Sequence, residues 1–586
     1  MRTKYCGKIK ITDLYKSVTL SGWVNKIRNF GQFIFIDLRD YTGIVQVIFE
    51  LNNTTVFKKV LSLKNESCIQ VIGIVQKRDI KNKNIKLNTG EIEILAKKIN
   101  IFNLSKPLPL DYLSNYSDDL KLKYRYLELR KLNLFENLKV RNQVTHLIRT
   151  FMKKRNFLDI ETPLLTKSTP EGARDYLVPS RNYPGKFYAL PQSPQLFKQL
   201  LMMSGIDRYY QIAKCFRDED LRSDRQPEFT QVDIEASFMS ASKIRKIIEQ
   251  LIKNIWLKTL NYHLHTFPIM SYHQAIQRYG SDKPDLRNPI EIIDIFNIFN
   301  KKKFLDFFKI DVSKKNRIGL LCFSESKKIS RKKIEEYCNY VSQFEAKKLF
   351  YIKIKKHEIG LEGIQSSIKN ILNTTILNQI INQTKAKNGD ILFIIADTEN
   401  IVNKSLGMLR AKLDHDFKIS QKNIWKPVWI INFPMFKKNN VGKFSSVHHP
   451  FTACKKNYEK KIFNDLDNAI SDSYDLVING YEIGGGSVRI HNAKIQKKIF
   501  NIIGLKEQDQ QEKFGFFIEA LEYGAPPHAG IALGLDRIIM LLRNTNNIRD
   551  VIAFPKTTSA SCLMTKAPST LDNKYLNELN INVIKK

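Results

Sequence analysis

The chain has 586 residues, too many for one hydrophobic core, and should divide into three or four domains. Hydrophobic residues make up 43% and aromatic residues 11%, which excludes a disordered chain. The formal net charge is +37, from 95 Lys and Arg against 58 Asp and Glu. That balance suits a polyanionic partner, although runs such as KNKNIK and KKNN spread it as background composition.

Seven cysteines stand alone with no CxxC pair, so neither a zinc site nor a disulfide framework is expected. Reduced thiols point to the cytoplasm. No apolar run of signal-peptide length opens the sequence, and none further on is long enough for a bilayer, so a soluble protein is expected.

Residues 1–105 read as five short strands separated by turn signals, with the helix candidate TTVFKKVLSLKN between the third and fourth. That is the pattern of an OB-fold barrel, a scaffold that holds single-stranded nucleic acid on aromatic and basic groups. Phe35 alternates with Ile34 and Ile36, which turns it outward as a stacking platform; a barrel-core aromatic is the plainer alternative. Residues 106–135 contain proline and then turn helical, as a hinge does.

Residues 136–287 open with ENLKVRNQVTHLIRTFMKKRNF, where Val140, Val144, Leu147, Ile148 and Phe151 follow helical spacing. The helix runs into FLDIETPLL, read as a strand carrying Pro163 at an edge or bulge. A core helix fits those residues as well as an interface helix does. Further on, Ser193-Pro194 suits a helix start and places Gln195 and Lys198 on one face.

Two strand-like segments, YYQIAKCFRDE and FTQVDIEASF, then flank a loop dense in charge: Arg217, Asp218, Glu219, Asp220, Arg222, Asp224, Arg225 and Glu228. Arginine suits bidentate phosphate contacts, so a nucleotide rim is one reading. A solvated hairpin of mixed charge is the other, and the residues alone do not separate them.

Residues 288–420 mix helix and strand around basic runs and show no catalytic constellation. Residues 421–586 return to apolar strands. VHHPFT puts His448 and His449 in a loop; adjacent residues of an extended chain point in opposite directions, which argues against a metal pair and for a polar pocket contact. In YDLVINGYEIGGGSVRIHN, consecutive glycines permit close approach of a ligand to the backbone. Asp475 and Glu482 bracket that turn, and two carboxylates with phosphate oxygens are a common magnesium arrangement. Two exposed acids on a hairpin would look the same. Arg489 is the candidate grip for a carboxylate. GLDRIIMLL starts a helix with Leu535, Ile538, Ile539 and Leu542 buried, leaving Gly534 and Arg537 where a helix N-terminus favours phosphate.

FRDE…RQPEFTQVDIE, GAPPHAGIALGLDRIIMLL and FLDIETPLL resemble motifs 2, 3 and 1 of the class II aminoacyl-tRNA synthetases, most closely the bacterial-type aspartyl enzymes. The resemblance implies an α+β multidomain protein. It has an N-terminal OB-fold β-barrel that binds the anticodon, a catalytic domain on an antiparallel sheet with flanking helices, and an inserted α/β domain at 288–420. It also implies ATP and Mg²⁺, a tRNA for aspartate, L-aspartate, a homodimer built on motif 1, and ligation through an aspartyl-adenylate.

Residue by residue, the resemblance puts Arg217 on the α-phosphate and Arg537 on the γ-phosphate, with Asp218, Glu219, Gln226, Glu482, Gly534, Leu535 and Asp536 around the nucleotide. Asp475 and Glu482 would hold the metal. Glu171, Ser193, Gln195, Lys198, Arg217, Asp233, His448 and Arg489 would surround the amino acid. In the barrel, Arg28, Phe35, Gln46, Arg78, Asn82, Asn84 and Glu93 would meet the anticodon. Two cations, Arg489 and Lys198, favour a second carboxylate over an amide or an ammonium, which sets aspartate above the asparaginyl and lysyl alternatives. An amide-forming paralogue should lack the barrel, and a catalytically silent RNA-binding relative should lack Arg217, Glu482 or Arg537.

Overall fold

The computed structural model describes residues 1–109, 116–169, 172–439, 441–456 and 464–584. They form two compact units, Met1–Tyr124 and Arg125–Lys586.

In the first unit, strands β1 (Ser17–Asn29), β2 (Phe33–Asp40), β3 (Gly43–Glu50), β4 (Cys68–Lys77) and β5 (Ile92–Asn103) close a barrel in the order β1-β2-β3-β5-β4. Helix α1 (Thr54–Leu61) follows β3, capped by the Asn53 side chain on the Val56 N–H. The period-two pattern is obeyed strictly where it matters. Ile34, Ile36 and Leu38 fill the barrel core with Val45, Val47 and Ile94, while Phe35 and Asp37 between them face out.

The second unit is built on an eight-stranded sheet. Helix α2 (Leu132–Lys153) buries Val144, Ile148 and Phe151, with Val140 packed against the same core. It leads into β6 (Leu158–Asp159), which ends well before Pro163. The strand read through that proline is therefore cut short, since proline offers no N–H to extend a ladder. Helix α3 (Gln195–Met203) starts behind Pro194, which sits at its N-cap. Strands β7 (Arg208–Phe216) and β8 (Glu228–Ser237) pair antiparallel from Glu228↔Phe216 and so fix the base of the charged loop.

Helix α4 (Ala241–Leu260), strand β9 (Ile269–Ser271) and helix α5 (Tyr272–Tyr279) follow. The chain then forms a separate five-stranded sheet from β10 (Ile292–Asp294), β11 (Asn316–Phe323), β12 (Phe350–Ile354), β13 (Ile364–Ser366) and β14 (Ile391–Thr398). Every pairing in it is antiparallel, and helix α6 (Glu399–Phe417) packs on it through Val402, Leu406 and Leu409.

Strands β15 (Pro427–Ile431), β16 (Ser473–Ile478), β17 (Tyr481–Val488) and β18 (His528–Gly534) complete the large sheet, in the order β9-β15-β16-β17-β18-β8-β7-β6. Asn479 and Gly480 join β16 to β17 with φ of 53° and 84°, a two-residue turn that matches the twist of a hairpin. Helix α7 (Leu535–Leu542) follows β18 directly and buries Leu535, Ile538, Ile539 and Leu542 in the main core.

Candidate active site

A cavity of about 480 Å³ opens over the face of β8, β17 and β18. Gln231 and Asp233 reach it from β8, Gln195 and Lys198 from the first turn of α3, and Glu482 and the glycines of β17 from the hairpin. Arg217, Arg489 and Arg537 line this same space, although they lie far apart in the chain.

Its floor is a buried charge network. Lys198 Nζ sits 2.7 Å from Asp233 Oδ1 and 3.2 Å from Glu235 Oε2. Arg489 bonds Glu235 twice, Nε to Oε1 at 2.9 Å and Nη2 to Oε2 at 3.1 Å. Its Nη1 is held at 2.6 Å by both Ser487 Oγ and His449 Nε2. Burial opposes ionisation of Glu235, yet Arg489 and Lys198 outweigh it and hold the carboxyl down at about 2. Burial and the neighbouring Arg489 push His449 well below the usual imidazole range, so its neutral ring accepts the guanidinium N–H. Asp233 goes the other way: burial and the neighbouring Glu235 raise it, and Lys198 offsets only part of that; its Oδ2 has no partner among the described residues.

Buried polar atoms without a partner cost roughly 1–3 kcal/mol each. Four of them belong to residues lining this cavity: Gln195 Nε2, Arg217 Nε, Asp233 Oδ2 and His448 Nδ1. Two donors, an acceptor and an imidazole nitrogen around one space are a ready receptor for a zwitterionic or anionic ligand. Arg217 also lies 5.0 Å over the Phe229 ring, and both residues line the cavity.

At the other end, Arg537 donates from Nη1 to the Glu482 carbonyl at 2.7 Å and from Nη2 to Asp224 at 3.0 Å. Asp475 accepts from His448 Nε2 at 3.3 Å, and Glu482 pairs with Lys283 at 2.7 Å. Desolvation lowers His448, but Asp475 and Glu482 reverse that and raise it. Burial raises Asp475, whereas Lys283 and Arg537 hold Glu482 below the ordinary value despite its burial.

Several expected positions differ in detail. His448 and His449 sit in a loop, as expected, and both line the cavity, so the opposite directions that a strand would give them do not separate them. Gln226 has both ends of its amide on the Lys556 backbone, Nε2 to O at 3.1 Å and Oε1 from N at 2.7 Å. Asp218 is off the cavity wall; its main-chain N–H bonds Arg174 O at 3.0 Å. Leu535 points into the core, and Asp536 spends its oxygens on Arg141 and on the Thr230 N–H. Gln226, Asp536, Ser193 and Gly534 all line the cavity, and Glu219 lines it while paired to Arg225. Glu171 lies outside the described residues.

Residues 117–558, more than half of the chain, match the family described as tRNA synthetases class II (D, K and N). The chain belongs to that family. Residues 18–102 match the OB-fold nucleic acid binding domain of the tRNA anticodon type. An aspartate–tRNA ligase of Buchnera aphidicola subsp. Schizaphis graminum is 70% identical over all of both chains. Another, of Haemophilus ducreyi, is 52% identical over 99% of each. The crystal structure of asparaginyl-tRNA synthetase from Pyrococcus horikoshii complexed with asparaginyl-adenylate has a TM-score of 0.59 at 19% identity, over 94% of this chain and 98% of that one. That likeness is one of fold.

The synthetase's barrel carries a second polar cluster on its outer face. Arg28 bonds Asp37 through both terminal nitrogens, at 2.9 and 2.7 Å, and Gln46 at 3.1 Å; Gln46 in turn bonds Glu93 at 2.8 Å. Phe35 stands beside them with ring neighbours Phe30 and Phe33. Asn82 and Asn84 are exposed, whereas Arg78 is buried, with Nε on Ile92 O at 3.0 Å.

Sequence reasoning missed Glu235, His449, Lys283 and Asp37. Glu235 had a signal, since Gln231, Asp233 and Glu235 share one face of β8. Gly530 across the ladder supports it: a Cβ there would lie 1.9 Å from Glu235 Oε2. Asp37 had the same signal beside Phe35. Lys283 had none.

Proposed function

We propose that this synthetase ligates L-aspartate to the aspartate tRNA in two steps, using ATP, as its aspartate–tRNA ligase relatives are named for doing. In the first, the aspartate α-carboxylate attacks the ATP α-phosphate in line and pyrophosphate leaves. A carboxylate is already ionised at neutral pH, so no general base is needed, and catalysis rests on positioning and charge neutralisation. In the second, the terminal ribose hydroxyl of the tRNA attacks the aspartyl carbonyl of the adenylate; the ester forms as the acyl–phosphate bond breaks, and AMP and the hydroxyl proton leave.

Arg217, with its unpartnered Nε, serves the α-phosphate, and Arg537 at the start of α7 serves the distal phosphates. Arg489 and Lys198 receive the aspartate side-chain carboxylate, held in place by Glu235 and Asp233. Gln195, Ser193 and Asp233 take the ammonium group. A pocket built on a locked guanidinium rejects the uncharged amide of asparagine, since the charge would be left without its counterpart.

Asp475 and Glu482 fit a divalent cation. Both offer hard oxygen donors, and they flank Gly485, whose added Cβ would lie 2.9 Å from Asp475 Oδ1 and 3.5 Å from Glu482 Oε1. Bound there, Mg²⁺ would supply positive charge to the phosphates. In the barrel, Phe35 stacks on a base while Arg28, Gln46 and Glu93 read base edges. Exposed Leu158, Leu164 and Leu165 beyond α2 support a homodimer through that edge. The reading places the protein in the cytoplasm with its tRNA; no helix among the described residues is long and apolar enough to cross a membrane.

The observation that carries this reading is the convergence of Arg217, Arg489 and Arg537 on one cavity. Amino-acid-dependent ATP–pyrophosphate exchange tests it. Aspartate should drive exchange and asparagine and lysine should not; exchange driven by either of those, or by none of the three, overturns it.

A further inference from the structure

The loop between α5 and the five-stranded sheet, Ser281–Asp285, belongs to none of the three sequence motifs, yet it places one side chain in the cavity. Lys283 Nζ lies 2.7 Å from Glu482 Oε2 and lines the same wall. Arg537 bonds the main-chain carbonyl of that same Glu482. A lysine from one side and an arginine from the other therefore flank the hairpin at the end of the cavity assigned to the distal phosphates.

The lysine is held firmly. Its main-chain N–H donates to Ser281 Oγ at 3.0 Å, and Pro284 behind it restricts its backbone to extended conformations. Arg410 of α6 donates to the carbonyls of Asp285 and Asn288 at 2.7 Å each and of Ile290 at 2.6 Å. Helix α6 itself touches the loop closely: a Cβ on Gly407 would lie 2.7 Å from Gly280 O. The inserted unit thus braces the segment that carries Lys283.

Resting on the synthetase reading above, we infer that Lys283 is a further ATP-binding residue, which neutralises Glu482 before nucleotide enters and grips the β,γ end of the triphosphate afterwards. The reason is electrostatic. A carboxylate that accepts a divalent cation no longer needs a lysine counter-charge, and two cations on one carboxylate repel. A polyphosphate bound beside Arg537 would offer the displaced ammonium an anion within the same cavity. Through the brace from α6, the inserted unit sets the position of a substrate-binding lysine.

The experiment uses the full chain and calorimetric titration with ATP, alongside exchange kinetics. Lys283→Met should weaken ATP binding about 10- to 100-fold, the loss of one charge-assisted hydrogen bond, while the KM for aspartate stays within about twofold. Lys283→Arg should recover most of the loss. Because removing the lysine strands Glu482, the decisive comparison is Glu482→Gln against the double variant K283M/E482Q, titrated without metal. A further loss of about tenfold in the double variant supports a phosphate contact. Equal affinity of the two reduces Lys283 to a counter-ion for Glu482 and overturns the inference. Wild-type chain with no measurable ATP affinity would sink the synthetase reading together with it, whereas normal wild-type affinity matched by K283M overturns this inference alone.

Discussion

Arg489 and Glu235, 254 positions apart, meet as a buried two-pronged ion pair across β18, Arg489 from just past the end of β17 and Glu235 from β8, with contacts of 2.9 and 3.1 Å. Arg489 lines the cavity and Glu235 does not. Glu235 fixes the guanidinium from behind, and His449 and Ser487 complete the fixation. A receptor aligned before its ligand arrives loses little entropy on binding.

Breaking that pair should be costly. Glu235→Gln leaves Arg489 buried without the carboxylate it pairs with, and should lower unfolding free energy by about 3–5 kcal/mol in a denaturant titration. The pH dependence has a definite sign. A carboxyl held at about 2 instead of 4.5 contributes stability that is complete above 4.5 and lost as pH falls toward 2. The variant's stability should therefore change less than the wild type's across that window. Equal slopes in the two proteins would remove Glu235 from the acid response.

Arg217 should behave in the opposite way. Its Nε has no partner among the described residues, so the folded chain gains little from it beyond the Phe229 contact. Arg217→Gln should change stability by no more than about 1 kcal/mol. Exchange turnover should nonetheless fall about 10²- to 10³-fold, the usual effect of losing a donor aimed at developing charge. A large drop in melting temperature would assign Arg217 to the fold.

Gly485→Ala tests the carboxylate pair. The added methyl would come within 2.9 Å of Asp475 Oδ1, and the backbone on both sides is locked in the ladder, so the carboxylate must move. The Mg²⁺ concentration for half-maximal exchange should rise several-fold, with aspartate binding at Arg489 altered far less. An unchanged magnesium titration would place the cation elsewhere.

Phe35→Ala separates the two units. Base stacking is worth about 1–3 kcal/mol, so the KM for tRNA in charging should rise about 5- to 150-fold. ATP–pyrophosphate exchange, which needs no tRNA, should be unchanged. A parallel fall in both assays would mean that the barrel was damaged.

Much of this is legible in the order of residues. The alternation around Ile34 and Ile36 marks the barrel strands, Asn479-Gly480 the hairpin, and Leu535, Ile538, Ile539 and Leu542 the face of α7. The departures are equally local. Pro163 reads as part of a strand that stops at Asp159, and the loop residues His448 and His449, expected to point apart, both line one cavity.

What the amino-acid order determined alone was every feature with a short period or a short motif, because side-chain direction repeats every two residues in a strand and about every 3.6 in a helix. The tertiary structure alone decided which charge stands against which: Glu235 behind Arg489, Lys283 on Glu482, Asp536 consumed by Arg141. Coulomb attraction acts through space and leaves no periodic trace along the chain, so a carboxylate that orients an arginine and one that binds a ligand look alike until folding brings their partners into reach.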